Sequence, residues 1–210
     1  MLAGNARLLM TMPLDDLTDL SDEVLLARYA QGDRSAARVL VLRLSPRVLG
    51  YAARLLGDRA EAEDVAQEAL VRLWKIAPDW RAGEAQVTTW LYRVVTNLVT
   101  DRHRARQRRA ATALDEAPEV ADATPGAVAQ MIEADRMAAL DTALAQLPDR
   151  QRQAVVLRHI EGMTNPEIAA IMEIGVEAVE SLTARGKRAL TAILSGQRAA
   201  LGYEDEGAEA

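Results

Sequence analysis

Two stretches of the chain carry residue types suited to contact with a polyanion. The run DRHRARQRR, residues 101–109, places five arginines in nine positions, enough guanidinium groups to neutralise several phosphates. It reads equally as a solvated helix end, because cations are favoured near helix C-termini. The second stretch is MTNPEIAAIMEIGVEAVESLTARGKRAL, residues 163–190. Asn165 is placed to cap a short helix whose first residue is Pro166. Ile168, Ala169, Ile171 and Met172 supply its buried side, and the small Ala169 would let two helices cross closely. A tight turn at Glu173-Ile174-Gly175 then leads to a second helix with Val176, Val179 and Leu182 facing inward. Glu177, Glu180, Ser181, Ala184, Arg185, Lys187 and Arg188 are left outside. The pattern is that of a helix-turn-helix, whose second helix enters the major groove. An ordinary helical hairpin is the other reading.

Catalytic chemistry has no constellation to work with. His103 and His159, the two histidines, lie in different segments, and neither belongs to a metal-ligand spacing or a G-x-S-x-G pattern. No glycine-rich phosphate loop is visible. Without cysteine the chain has neither a disulfide framework nor a thiolate metal site. The acid pairs Glu63-Asp64 and Asp15-Asp16 read as surface charges, since adjacent helical residues do not face each other. The expectation is a protein that is no enzyme, with no catalytic or metal-binding residue, no cofactor and no small-molecule substrate.

The elements that would carry these stretches are helices. Apolar residues make up half of the 210 positions, enough for two small domains. Alternating β-branched runs and glycine-rich turns are scarce, which predicts an all-α fold. DEVLLARYAQ is the first helix, broken at Gly32, and a second starts near Asp33. Pro46 suits the first turn of a third segment, PRVLGYAARLLG, ending at Gly57. Asp58 and Glu61 have capping-box spacing and open RAEAEDVAQEALVRLWKIA. There Val65, Ala69, Leu73 and Ala66, Leu70, Trp74 form one apolar stripe, while Glu63, Asp64, Gln67 and Glu68 show on the other face. The loop PDWRAGEAQ precedes VTTWLYRVVTNLVTDRHRARQRR. Trp80, beside Arg81, could stack on an unpaired base or plug the end of the bundle; Trp74 and Trp90 read as core. Residues 110–130 have linker composition, and two further helices meet around Leu147-Pro148.

Charge divides along these boundaries. The formal net charge is -6, yet residues 11–27, 110–135 and 202–210 hold 15 of the 31 acids and no Lys or Arg. The remainder therefore sets 16 acids against all 25 bases.

Taken together, EAEDVAQEALVRLW, then TTWLYRVVTNLVTDRHRARQRR, an acidic linker, and LAQLPDRQRQAVVLRHIEG followed by the 163–190 stretch resemble the extracytoplasmic-function class of bacterial sigma factors. The resemblance spans residues 21–195. It implies two small helical domains: region two at 21–109 and region four at 136–195, joined by a flexible acidic linker at 110–135. An N-terminal extension (1–20) and an acidic tail (196–210) flank them. By resemblance, Asp64, Gln67 and Glu68 dock on core RNA polymerase. Arg81, Arg93, Asn97 and Arg102 contact the minus-ten element of promoter DNA. Glu180, Ser181, Ala184 and Arg185 read the minus-35 element, with Lys187 and Arg188 nearer phosphate. Relatives commonly have Lys or Arg where Glu180 stands, and a carboxylate instead accepts from the cytosine amino group. They also commonly have Gly where Glu173 stands; at positive φ, Glu costs about 1 kcal/mol relative to Gly.

The resemblance further implies an alternative sigma factor held by an anti-sigma factor, and the placement of charge suggests that the acidic linker and tail screen the basic surfaces until polymerase pulls the domains apart. Two other classes compete. A sigma-like adaptor that only titrates an anti-sigma factor would not need the arginines at 102–109 or Arg185, Lys187 and Arg188. A conventional helix-turn-helix repressor or activator would not need the polymerase-docking helix RAEAEDVAQEALVRLWKIA. No stretch has the length of a membrane span or the pattern of a signal peptide, so membrane insertion is not expected and the expected location is the cytoplasm.

Overall fold

The computed structural model describes residues 17–81, 83, 85–112 and 128–195. Among these, every regular element is helical. The elements are α1 (Asp22–Ala30), α2 (Arg34–Leu56), α3 (Arg59–Ile76), α4 (Val87–Thr112), α5 (Val128–Ala145), α6 (Asp149–Val155), α7 (Asn165–Met172) and α8 (Val176–Ser195). The chain divides into two compact units, Met1–Val99 with Ala170–Glu173, and Thr100–Ala169 with Ile174–Ala210.

The helix starts are written in short polar side chains. Ser21 accepts from Val24 N–H, Asp33 from Ser35 and Ala36 N–H, and Asp58 from Glu61 N–H, each satisfying donors that the first helical turn leaves open. Gly57 closes α2 in the left-handed region at φ 66°, its N–H donating to Ala53.

Pro46 does not start a helix. It lies inside the 23-residue α2, although proline removes one bond of the helical ladder and crowds the preceding turn. The reason is the apolar face on both sides of it: Val39, Leu40, Leu44, Val48, Tyr51, Ala52, Leu55 and Leu56 are all buried. Burial of that stripe offsets the local cost, and the proline ring itself is exposed.

In the first unit α2 packs against α1 and α3, and α1 also meets the short 3-10 turn Ala77–Asp79. The Tyr51 ring stands edge-on to Tyr92 at 5.1 Å, and its hydroxyl bonds Thr96 at 2.8 Å, joining α2 to α4 in the core. Arg43 fastens the chain before α1 to α2. Its guanidinium pairs with Asp22 and donates to the Leu20 carbonyl at 3.0 Å and the Thr18 carbonyl at 2.7 Å.

In the second unit α8 lies across α6 and α5. Arg152, almost fully buried, donates from one amino group to the carbonyls of Ala145 and Leu147 and to Asp149, so the end of α5 and the start of α6 share one cation. Burial pulls its guanidinium below the usual value and Asp149 draws it part of the way back. After α6 the backbone widens into a π turn over Val156–Ile160, closed by Glu161 N–H on the Val156 carbonyl. Helix α5 begins inside the stretch read as linker; residues 113–127, 1–16 and 196–210 fall outside the described residues.

Candidate nucleic-acid interface

The two helices expected from the 163–190 stretch are α7 and α8, joined at Glu173-Ile174-Gly175. The turn uses a left-handed residue at Glu173, φ 54°, with Ile174 N–H donating to the Ala169 carbonyl at 3.1 Å. The cap of α7 is Thr164 rather than Asn165. Thr164 Oγ1 receives Glu167 N–H at 3.5 Å, and the Glu167 carboxylate takes the Thr164 N–H at 2.7 Å. This is a complete capping box, legible as Thr-x-x-Glu, and it releases Asn165 for another partner. Asn165 Nδ2 donates across to Glu180 Oε1 on α8 at 3.4 Å.

On α8, Val179 is buried and Leu182 half-buried, while Val176, expected inside, is 40% exposed. Val176 is the first residue of the helix and stands about 60° around it from the buried Val179. The close approach belongs to Gly186. A Cβ there would stand 2.6 Å from Val155 Cγ2 and 3.2 Å from the Gln151 carbonyl oxygen. Ala169, expected to allow a close crossing, is half-exposed.

The outward face of α8 holds every residue expected there: Glu177, Glu180, Ser181, Ala184, Arg185, Lys187 and Arg188 are all exposed. At about 100° per residue they occupy one sector of the helix. Charge runs along it from acid to base, in the sense the helix dipole favours. Arg185 Nε donates back to the Ser181 carbonyl at 3.2 Å. Within the field of Lys187, the largely exposed His159 carries an imidazole lowered first by partial burial and then by the charges of Lys187 and Arg158, which favours its neutral form near pH 7.

In the first unit, the stripe on α3 packs as expected: Val65, Ala66, Ala69 and Leu73 are buried, Leu70 and Trp74 half-buried. Trp74 meets the Tyr29 ring at 4.7 Å. Asp64 and Gln67 stand exposed on the opposite face, joined one turn later by the exposed Val71. Glu68 is half-buried and paired with Arg72 at 2.6 Å.

Arg81 is exposed beyond the 3-10 turn. Trp80 packs edge-on to Trp90 at 6.0 Å, its indole N–H shielded from solvent without a partner among the described residues. On α4, Arg93 and Asn97 are one turn apart on one face, half-buried and exposed. Arg102 does not join them: nine residues beyond Arg93 it points roughly 180° away. Arg104, eleven residues on, returns to the Arg93 face within about 20° and is exposed, loosely paired with Asp101 at 3.9 Å. Counting helical turns through the arginine run would have singled it out. Among the described residues no cluster of carboxylates and histidines could hold a metal ion, and no helix is long and apolar enough to cross a membrane.

Two family descriptions match the chain in order, Sigma-70 region 2 over residues 40–109 and Sigma-70, region 4 over residues 137–190. The chain is 32% identical over 183 residues to the RNA polymerase sigma-H factor of Pseudomonas aeruginosa, covering 83% of this chain and 94% of that protein. The chain belongs to the extracytoplasmic-function class of the sigma-70 family. A second member, the ECF RNA polymerase sigma-E factor of Escherichia coli, is 30% identical over 179 residues, 81% of this chain and 93% of the other. Among solved structures, CnrH in complex with the cytosolic domain of CnrY matches with a TM-score of 0.60 at 28% identity, over 83% of this chain and 97% of that one. The sigma factor RpoE bound to the anti-sigma factor NepR from Bartonella quintana shares the fold, with a TM-score of 0.59 at 22% identity, over 74% of this chain and 94% of that one. The sigma-70 region 2 match contains α3 and most of α4, and the region 4 match contains α6, α7 and most of α8. Every candidate interface residue therefore falls inside one of the two matched regions.

Proposed function

We propose that the chain is an alternative sigma factor that binds core RNA polymerase, directs it to promoters and takes part in opening the DNA. The observation that carries this is the pairing, in family order, of the exposed acidic face of α3 with the exposed face of a helix-turn-helix. Region two would span residues 21–109 and region four 136–195, with 110–135 as linker between them and 1–20 and 196–210 as flanking segments.

In this reading Asp64 and Gln67 meet a basic surface of polymerase, with Glu68 held in place by Arg72. Arg81 and the Arg93–Asn97 face of α4 contact the minus-ten element, and Arg102 serves from the other side of the helix. Glu180, Ser181, Ala184 and Arg185 read the minus-35 element while Lys187 and Arg188 hold phosphate. The net charge of -6 is compatible with this role because polymerase shares the phosphate contacts. A factor of this kind works in the cytoplasm as a transcription factor, without catalysis of its own. That two similar solved chains were captured with CnrY and with NepR supports an anti-sigma partner here as well.

Run-off transcription on fragmented genomic DNA, with and without this protein added to purified core polymerase, tests the proposal. New RNA 5′ ends sharing paired upstream elements are the expected result. Binding to core without new starts, or no binding to core, would overturn it, the latter in favour of an anti-sigma-titrating adaptor.

A further inference from the structure

The exposed face of α8 contains a feature that phosphate binding does not need: two carboxylates, Glu177 and Glu180, on the helix that approaches DNA. Near a polyanion an acid lowers affinity, and its direct use there is to accept a hydrogen bond from a base amino group, the usual partner being that of cytosine. A free glutamate side chain performs that poorly, since it must give up its rotamer freedom on binding. Glu180 is not free. Its Oε1 accepts from Asn165 Nδ2 at 3.4 Å, and its other oxygen has no partner among the described residues. Asn165 is available for this because Thr164 and Glu167 complete the cap of α7 without it. It comes from the first helix of the motif, fifteen residues away, and sits half-buried, which restricts its own motion.

We infer that Asn165 is a positioning residue that fixes the Glu180 carboxylate for reading cytosine in the minus-35 element. The inference rests on the sigma-factor reading and deepens it. Asn165 holds one carboxylate oxygen, and the second is presented to the groove in a fixed direction. The pair adds discrimination rather than affinity. The assignment of the Asn165 amide follows from chemistry, because only its nitrogen can face a carboxylate oxygen.

The experiment uses reconstituted holoenzyme and a promoter library randomised across the minus-35 element, with bound DNA recovered and sequenced. The wild-type protein should enrich cytosine at one position, and Glu180→Gln should abolish that enrichment while leaving the other positions intact. Asn165→Ala should reduce the same enrichment about fivefold, with unchanged affinity for sites lacking that cytosine and unchanged melting temperature. A merely structural Asn165 would instead weaken binding to all sites alike. Asn165→Asp, which sets like charges together, should be worse than alanine, and Asn165→Gln should restore part of the preference. If Glu180→Gln erases the enrichment and Asn165→Ala does not, Asn165 has no positioning role. If no position responds to Glu180→Gln, the carboxylate reads no base and the inference fails while promoter recognition stands. A library with no enriched minus-35 position at all sinks both.

Discussion

Glu23 on α1 accepts the backbone N–H of Val87 at 3.2 Å, so the first turn of α4 is capped by a side chain 64 residues earlier in the chain. Burial pushes the Glu23 carboxyl up, but its own backbone N–H, that of Val87 and the Ser21 hydroxyl outweigh it and leave the group below its ordinary value. The unfolded chain therefore binds more protons between the two values, and the stabilisation fades as pH falls through the lowered folded value. Glu23→Ala should cost about 1 kcal/mol at pH 7, as loss of a helix cap does. The difference from wild type should shrink once the pH is well below roughly 4.3, the ordinary glutamate value. Urea denaturation across pH 3 to 7 measures both effects, and a constant difference would remove the charge from the explanation.

Glu173 occupies the left-handed region at φ 54°, the conformation in which a residue standing where relatives commonly have glycine carries a cost. Replacing it by glycine should stabilise the protein by about 1 kcal/mol, because the Cβ strain at the α7–α8 turn disappears. The urea midpoint should rise with an unchanged slope. A fall instead would mean the Glu173 side chain makes a compensating contact.

Gly186 predicts the opposite sign. Alanine improves helix propensity by about 1 kcal/mol, but its Cβ would press on Val155 at 2.6 Å and the Gln151 carbonyl at 3.2 Å. Overpacking costs about 1–3 kcal/mol, so Gly186→Ala should be net destabilising. Combining it with Val155→Ala should give less than the summed loss, and strict additivity of the two would show that the contact relaxes freely.

On α3 the docking candidates should separate by their local partners. Asp64→Arg and Gln67→Arg should each weaken core association by about tenfold, or 1.4 kcal/mol, without altering the melting temperature. Glu68→Gln should do less, since its carboxylate is already engaged with Arg72. Competition against a labelled sigma factor for core polymerase gives the ranking; equal effects at all three positions would remove the pairing as the cause.

Along α4, Arg93→Ala and Arg104→Ala lie on one face, and each should lower the salt dependence of promoter binding by about one phosphate contact. Arg102→Ala should behave differently from both because of its opposite direction. A common slope for all three would mean that DNA wraps the helix rather than following one face.

Much of this was legible from residue types. Ser21, Asp33 and Asp58 announce helix starts through the donors they satisfy, and the 59–76 stripe and the outward residues of α8 follow from a 3.6-residue period. Contacts between segments were not, because no spacing reveals them: the Arg43 fork on Thr18 and Leu20, the Glu23 cap on Val87 and the clasp of Arg152 all join parts that only the fold brings together. Asn165 shows a finer failure. Two adjacent residues had capping chemistry, and the reciprocal bond available only to Thr164, through Glu167, decided between them. Arg102 was grouped with Arg93 and Asn97 by resemblance, and the helical period sets it on the other side of α4 from them.

Helix α2 has a further property in Pro46. With no N–H at that position, the Leu42 carbonyl lacks its partner in the ladder, on a residue that is 66% exposed. The helix is thus one continuous rod with a single ladder bond missing near its middle, held straight by the buried side chains on either side of the proline. Its amides should exchange with deuterium as two blocks, with the turn around Ser45 opening first. The rod can flex there without unpacking its apolar face, giving the first unit one soft joint at its centre.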